Sequence, residues 1–263
     1  MHAVPQAGTS PGVGGRRRAV SGVSGEKAGP PDSVPVCPAA GPYDGAPARS
    51  SSAQSPTKER ITDEALTLFS CRGFSGVSVK EIASAVGIKD SSLYKHFSTK
   101  QEIFDTILLQ MTAKMDELTV RLHIADATKV DTSEYFKNLS TDALVELSER
   151  VFLFYLKDPF AARFRRMLTI EQYCRSEISD LYRKIFTRDS ISYQSLLFSQ
   201  LMASGVFKKG DPEIAALHFY APLFLLLTRY DGRPEQEREA LELLERHVRA
   251  FAAIYAAEAQ PST

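Results

Sequence analysis

The sequence predicts an all-α chain: a three-helix helix-turn-helix head followed by a larger helical bundle, about nine helices in total. Three observations predict it. From Thr57 onward, apolar residues recur at three- and four-residue spacing, with no two-residue alternation. Prolines stand where helices begin, as in Asp158–Pro159 and Asp211–Pro212, and glycines where they end, at Gly73, Gly87 and Gly205. Between residues 78 and 97, a short helix, a glycine turn and a second short helix follow one another.

Residues 1–56 are a separate segment. They hold 9 of the 15 glycines and 9 of the 14 prolines. A segment so poor in apolar runs cannot bury enough surface to offset its ordering entropy, and it is read as a disordered tail. Two other readings stay open: a basic arm carrying Arg16, Arg17 and Arg18 to DNA, and a gene start placed too far upstream, the true one lying near residue 50.

The first helix is expected over Thr57–Arg72, with Ile61, Ala65, Leu68 and Phe69 on one face and Gly73 as its stop. Ser78 and Glu81 have the spacing of a capping box, behind which Val79, Ile82, Ala83 and Val86 form a second stripe. Gly87 ends that helix and frees Ile88 to fill the corner. A third helix begins at Asp90 or Ser91, with Asp90 read as its cap. Leu93 and Phe97, four apart, point inward. Asp90, Ser91, Ser92, Tyr94 and Lys95 are left on the outer faces. Ser98 is read as the cap of the fourth helix, whose free amides and Lys100 would make an anion site.

Further helices are expected over 133–156, 158–173, 176–204, 211–229 and 234–257. Pro222 should kink the helix it sits in. Aromatic residues are dense from Phe152 to Phe198, and serve either as bundle core or as the lining of an apolar cavity. The segment "ALHFYAPLFLLL" is apolar nearly all round, which asks for burial on more than one side. With the short turn at Asp231–Gly232, it forms a hairpin with the last helix. Two such hairpins about a twofold axis would give a homodimer, for which the stripe Leu241, Leu244, Val248, Phe251 and Tyr255 is the expected interface.

The run "ALTLFSCRGFSGVSVKEIASAVGIKDSSLYKHFSTKQEIF" resembles the DNA-binding domain of TetR/AcrR-type bacterial transcriptional regulators. The matching elements are "LF…RGF", "S-V-x-x-I-A-x-x-V-G-I", "S-L-Y-K-H-F" and "K-x-x-I-F"; Ile103 stands where that family usually has Leu. The resemblance is motif-level over 57 to about 117 and architectural over 118–257. It implies that Ser78, Lys89, Asp90, Ser91, Ser92, Tyr94, Lys95, His96 and Lys100 lie at or near double-stranded operator DNA. Each has a second reading: Ser78 and Asp90 as helix caps, Lys89 as a solvated turn lysine, His96 as an internal hydrogen-bonding group. The implied organisation is a head over 57–117, a ligand-binding and dimerisation domain over 118–257 and a C-terminal tail over 258–263. The implied function is a repressor that binds a near-palindromic operator as a dimer and is released by a small apolar effector.

Composition narrows the alternatives. Lys and Arg total 32, as do Asp and Glu, so DNA binding must rest on a patch rather than on overall charge. Cys37, Cys71 and Cys174 are odd in number and form no paired motif, as in a reducing cytoplasm. No apolar run approaches the ~20 residues a membrane span needs. His2, His96, His123, His218 and His247 are scattered, and no metal-hydrolase, P-loop, dinucleotide or nucleophile-elbow motif occurs, so neither enzyme activity nor a cofactor is expected. The alternative function is a protein-binding module of the same fold that makes no DNA contact.

Overall fold

A computed structural model describes residues 57–122 and 140–257. The tail 1–56, the segment 123–139 and residues 258–263 lie outside it, and with them the expected disorder, the basic arm, Cys37, His2, His123 and the start of the helix expected over 133–156. The described residues belong to one unit of the chain, Ser50–Thr263, and contain helices and no strand, only an isolated bridge between Phe207 and Ala256.

Helix α1 (Thr57–Arg72) carries Glu59 in its first turn and Arg72 in its last, charges that complement the helix dipole. Its buried face is Ile61, Ala65, Leu66 and Phe69; Leu68 is only half-buried, so the stripe lies slightly rotated from the expected one. Gly73 follows with φ +74°. Helix α2 (Val79–Val86) starts at the expected capping box of Ser78 and Glu81. It ends at Gly87, φ +78°, with Gly87 N bonded to Ser84 O and Ile88 N to Ala83 O, a Schellman closure.

Helix α3 (Asp90–Leu93) is a single turn, prolonged by hydrogen bonds from His96 and Phe97 back to Leu93. Its N-cap position is Lys89, and Asp90 is its first residue, not its cap. Helix α4 (Lys100–Arg121) is capped by Thr99, whose hydroxyl accepts from Glu102 N. The expected cap, Ser98, instead donates its amide and hydroxyl to the Glu102 carboxylate, both at 2.8 Å. The two adjacent hydroxyls thus divide the two halves of a capping box between them.

Helix α5 (Thr141–Lys157) begins at Ser140. Helix α6 (Pro159–Glu171) begins at Asp158 with Pro159 in its first turn, as expected. Helix α7 (Ser176–Arg183), a π-helical turn (Lys184–Arg188) and α8 (Asp189–Ala203) run on as one rod in place of the single helix expected over 176–204. At the wide turn, backbone carbonyls take side-chain donors: Ser190 Oγ reaches Ile185 O, and the Tyr220 hydroxyl reaches Phe186 O at 2.7 Å. Helix α9 (Pro212–Arg229) is capped by Asp211 and continues through Pro222. A 3-10 turn (Pro234–Gln236) leads into α10 (Glu237–Tyr255).

The head has no closed core of its own. Ile61, Leu66, Phe69, Ile82, Leu93, Phe97, Ile103 and Ile107 share one apolar cluster with Phe164, Met167 and Leu168 of α6 and Phe186 beyond α7. A second cluster joins α5, α9 and α10 through Val145, Phe152, Leu226, Tyr230, Leu244 and Val248. A third joins α8, α9 and the end of α10 around Phe198, Leu201 and Phe251.

These clusters correct the expected dimer interface. Leu244 and Val248 are fully buried and Phe251 is 3% exposed, all within the chain's own core; Leu241 and Tyr255 are half-buried beside them. The stripe is real, but α5, α8 and α9 of the same chain cover it.

Candidate nucleic-acid interface

The outward surface of the head is built by its inward residues. Leu93 and Phe97 are buried, which fixes the rotation of α3 and the turn after it. Lys89, Asp90, Ser91, Lys95 and His96 are then exposed, Tyr94 is 53% exposed and Ser92 half-exposed. Short hydroxyls, two cations and an aromatic hydroxyl are thereby set side by side on a single helical turn. Such groups can meet base edges and phosphates when a helix N-terminus enters the major groove.

Ser78 is exposed, but its donors are spent. Its amide and its hydroxyl both donate to Glu81 Oε2 at 2.7 Å, and its oxygen accepts from Glu81 N. Those bonds from Ser78, with Arg72 at 2.8 Å, hold the Glu81 carboxyl well below the usual range, at about 2. Ser78 is a cap first, with a lone pair rather than a proton to offer outward.

Lys100 departs further from its expected role. Its ammonium turns inward, donating to Phe74 O at 2.8 Å and Val77 O at 2.7 Å, and lies 4.2 Å from the Phe74 ring centroid. Burial pulls its pKa below the ordinary lysine value, against the attraction of Glu171. Two of its three N–H groups thus clamp the loop between α1 and α2, and the expected phosphate site of Lys100 with the α4 amides is not formed. The start of α4 already faces an anion, the Glu102 carboxylate. Lys58 is a cation that sequence reasoning passed over. It sits 4.8 Å from the Phe97 ring centroid and near Glu102, at the end of the α3 turn. Its place on the apolar-periodic α1 gave no local sign of this.

The head is fastened to the rest of the chain by charged and polar side chains. Glu171, fully buried at the end of α6, accepts from Ser75 N at 3.0 Å and from the Ser75 hydroxyl. Gly73 takes φ +74°, which favours glycine, and a Cβ there would lie 2.5 Å from Glu171 Oε2, so a larger residue would also have to displace that carboxylate. Arg163 of α6 bonds Asp63 and Thr67 of α1. Lys114 of α4 pairs with Asp158 at 3.2 Å, and the Tyr155 hydroxyl lies 3.1 Å from Met115 Sδ.

Beyond these ties lies an aromatic layer. Tyr155 and Tyr182 pack on Phe186 with ring centroids 6.1 and 5.3 Å apart, and Tyr220 stacks on Phe224. Burial raises the pKa of Tyr155, Tyr182 and Tyr220, so all three remain neutral hydrogen-bonding hydroxyls at physiological pH. An open cleft of about 520 Å³ lies between α1, α4 and Phe160, lined by Glu59, Asp63, Glu64 and Lys114 among others. Among the described residues no three His, Cys, Asp or Glu side chains are grouped to hold a metal, and no helix is long and apolar enough to cross a membrane.

Residues 61–107 match the bacterial regulatory proteins of the tetR family. IcaR of Staphylococcus aureus, a negative transcriptional regulator of a biofilm operon, is 46% identical over 48 residues, 18% of this chain and 26% of IcaR. MftR of Mycobacterium tuberculosis is 35% identical over 80 residues, 29% of this chain and 40% of MftR. The chain thus matches less than half the length of either relative. Among solved structures, a TetR-family regulator from Mesorhizobium loti superposes with TM-score 0.55 at 20% identity, over 78% of this chain and all of that one. The SmeT–triclosan complex gives 0.54 at 21% identity, over 80% and 97%. Residues 61–107 thus carry the sequence of a tetR-family regulatory head, and the described helices share the fold of these two solved structures.

Proposed function

We propose that the protein is an effector-responsive repressor that binds a near-palindromic operator as a homodimer. The observation that carries this reading is the α3 surface, where Leu93 and Phe97 are buried and Ser91, Tyr94 and Lys95 are displayed together. A pair of such surfaces related by a twofold axis would meet successive major grooves, which is what a near-palindrome records. On this reading Ser91, Ser92 and Asp90 address base edges. Tyr94, Lys95, Lys89 and Lys58 address phosphates, and His96 stands beside them.

The dimer surface we propose is the apolar stripe that the chain itself leaves open. Ile214, Leu217 and Leu225 of α9 and Ile254 of α10 are exposed, Leu225 at 64% and Ile254 at 61%. The positions 214, 217, 221 and 225 follow helical spacing and line one side of α9. This keeps the last two helices as the dimerisation hairpin while replacing the residues expected to form it.

Release would follow when an effector seated against the aromatic layer shifts α4 and α6. Lys114–Asp158 and Tyr155–Met115 tie α4 to that region, and Glu171–Ser75 ties α6 to the head. The triclosan complex of SmeT shows that a protein of this fold holds a small aromatic molecule. The deciding experiment is selection of duplexes from a random DNA pool by the purified full chain. Enrichment of one inverted repeat, lost with Lys95→Met and Tyr94→Phe together, supports the reading. No enrichment at low salt refutes it in favour of a protein-binding module.

A further inference from the structure

Arg165 and Arg166 address one carboxylate, Asp231, in the turn after α9. Arg166 grips it twice, Nε to Oδ2 at 2.8 Å and Nη2 to Oδ1 at 2.9 Å. Arg165 reaches Oδ1 through Nη2 at 2.6 Å. Two positive charges therefore meet one negative charge. The Arg166 side chain is 38% exposed, and water can offset its share, but the Arg165 side chain is 6% exposed. Arg165 Nε is buried with no hydrogen-bond acceptor. A buried guanidinium that is short of both a counter-charge and an acceptor is an incomplete site, because each deficit is costly and one added anion would remove both.

The surroundings suit an anion with an apolar body. The Tyr182 hydroxyl lies within electrostatic reach of Arg165, with the Thr169 and Gln172 side chains beside it. The ring of Tyr182 continues into Phe186 and, through the Tyr220 hydroxyl on Phe186 O, into α9. Going outward from Arg165, the order is cation, neutral hydroxyl, aromatic ring. That is the complement of a carboxylate joined to a hydrocarbon or aryl group.

We infer that Arg165 anchors the carboxylate of a monocarboxylic acid effector whose apolar body packs among Tyr182, Phe186 and Tyr220. The carboxylate accepts the free Nε–H of Arg165 and neutralises the surplus charge of the Arg165–Asp231–Arg166 cluster. This inference rests on the reading of the chain as an effector-responsive regulator and names the class of effector.

The test uses the full chain and its Arg165→Met variant. The first measurement needs no ligand. Asp231 keeps both of its bonds to Arg166 when Arg165 is replaced, so the ligand-free variant is expected to melt no lower than wild type. A clear fall in its melting midpoint, or failure to fold, would make Arg165 a structural strut and overturn the inference. The second is calorimetric titration without DNA, using decanoate and phenylbutyrate against their methyl esters. The acids are expected to bind wild type, and the esters and the Arg165→Met variant to bind roughly thirtyfold or more weakly, as truncation of a buried charge pair does. Equal binding of acid and ester, undiminished binding by the variant, or no binding of either acid would overturn it. Operator selection is scored separately on the ligand-free chain, so failure of the regulator reading is distinguishable from failure of the carboxylate assignment.

Discussion

Replacing Lys100 by methionine separates two roles that the sequence does not distinguish. Methionine keeps an apolar stem over Phe74 and removes the ammonium that bonds Phe74 O and Val77 O. Each hydrogen bond from a charged donor contributes about 1.5–3 kcal/mol, with the lower end fitting a partly exposed group. The contact with the Phe74 ring adds about 0.5 kcal/mol. Rehydration of the freed carbonyls and relief of the lysine's own desolvation offset part of this, leaving an expected loss of about 2–3 kcal/mol. Denaturant unfolding at unchanged slope measures it. Operator affinity followed across salt concentration measures the alternative, because a lysine that neutralises a phosphate lowers the salt slope by about 0.9 per protomer when removed. Lys100→Met is expected to shift the unfolding midpoint and leave the salt slope unchanged. The exposed Lys95→Met is expected to do the reverse, with stability altered by less than about 0.5 kcal/mol. A Lys100→Met chain of wild-type stability with a reduced salt slope would refute the structural assignment.

Four further outcomes are expected. Glu171→Ala removes the acceptor of the Ser75 amide and hydroxyl and should cost about 2–4 kcal/mol by denaturant unfolding, with faster amide exchange in residues 73–78. Leu225→Glu should convert the proposed dimer to monomer in sedimentation without loss of helicity, whereas Leu244→Ala should cost about 2–5 kcal/mol of unfolding free energy because Leu244 lies in the chain's own core. Ser78→Ala should cost about 1 kcal/mol through loss of the α2 cap, seen as a lower urea midpoint. Because Glu81 is held at about 2, below its unfolded value of 4.5, its contribution is fully present above pH 4.5 and is lost as pH falls through 2. Glu81→Gln should accordingly flatten the stability profile in that acid window and leave the profile above pH 5 parallel to wild type.

Much of the fold was legible because its determinants act over three or four residues. The Ser78–Glu81 box, the Asp158–Pro159 and Asp211–Pro212 starts and the left-handed glycines Gly73, Gly87 and Gly205 are interactions of neighbours along the chain. The facing of Leu93 and Phe97 follows from helical spacing alone, and with it the outward side of α3. Adjacent residues with equivalent chemistry were less decidable: Ser98 and Thr99 both can cap α4, and backbone geometry chose Thr99.

Spacing also shows that a stripe must be covered without showing by what. The α10 stripe of Leu244, Val248 and Phe251 could equally meet a partner or the same chain, and packing against α5, α8 and α9 decided it. The long, flexible side chain of Lys100 reaches carbonyls 23 and 26 residues away. Glu171 meets Ser75 across 96 residues, and Arg165 meets Asp231 across 66. Local chemistry along the chain determined the helices, their ends and the outward side of the head. Only the tertiary structure decided which buried charges meet, because such pairs are made by elements that nothing in their own neighbourhoods directs toward each other.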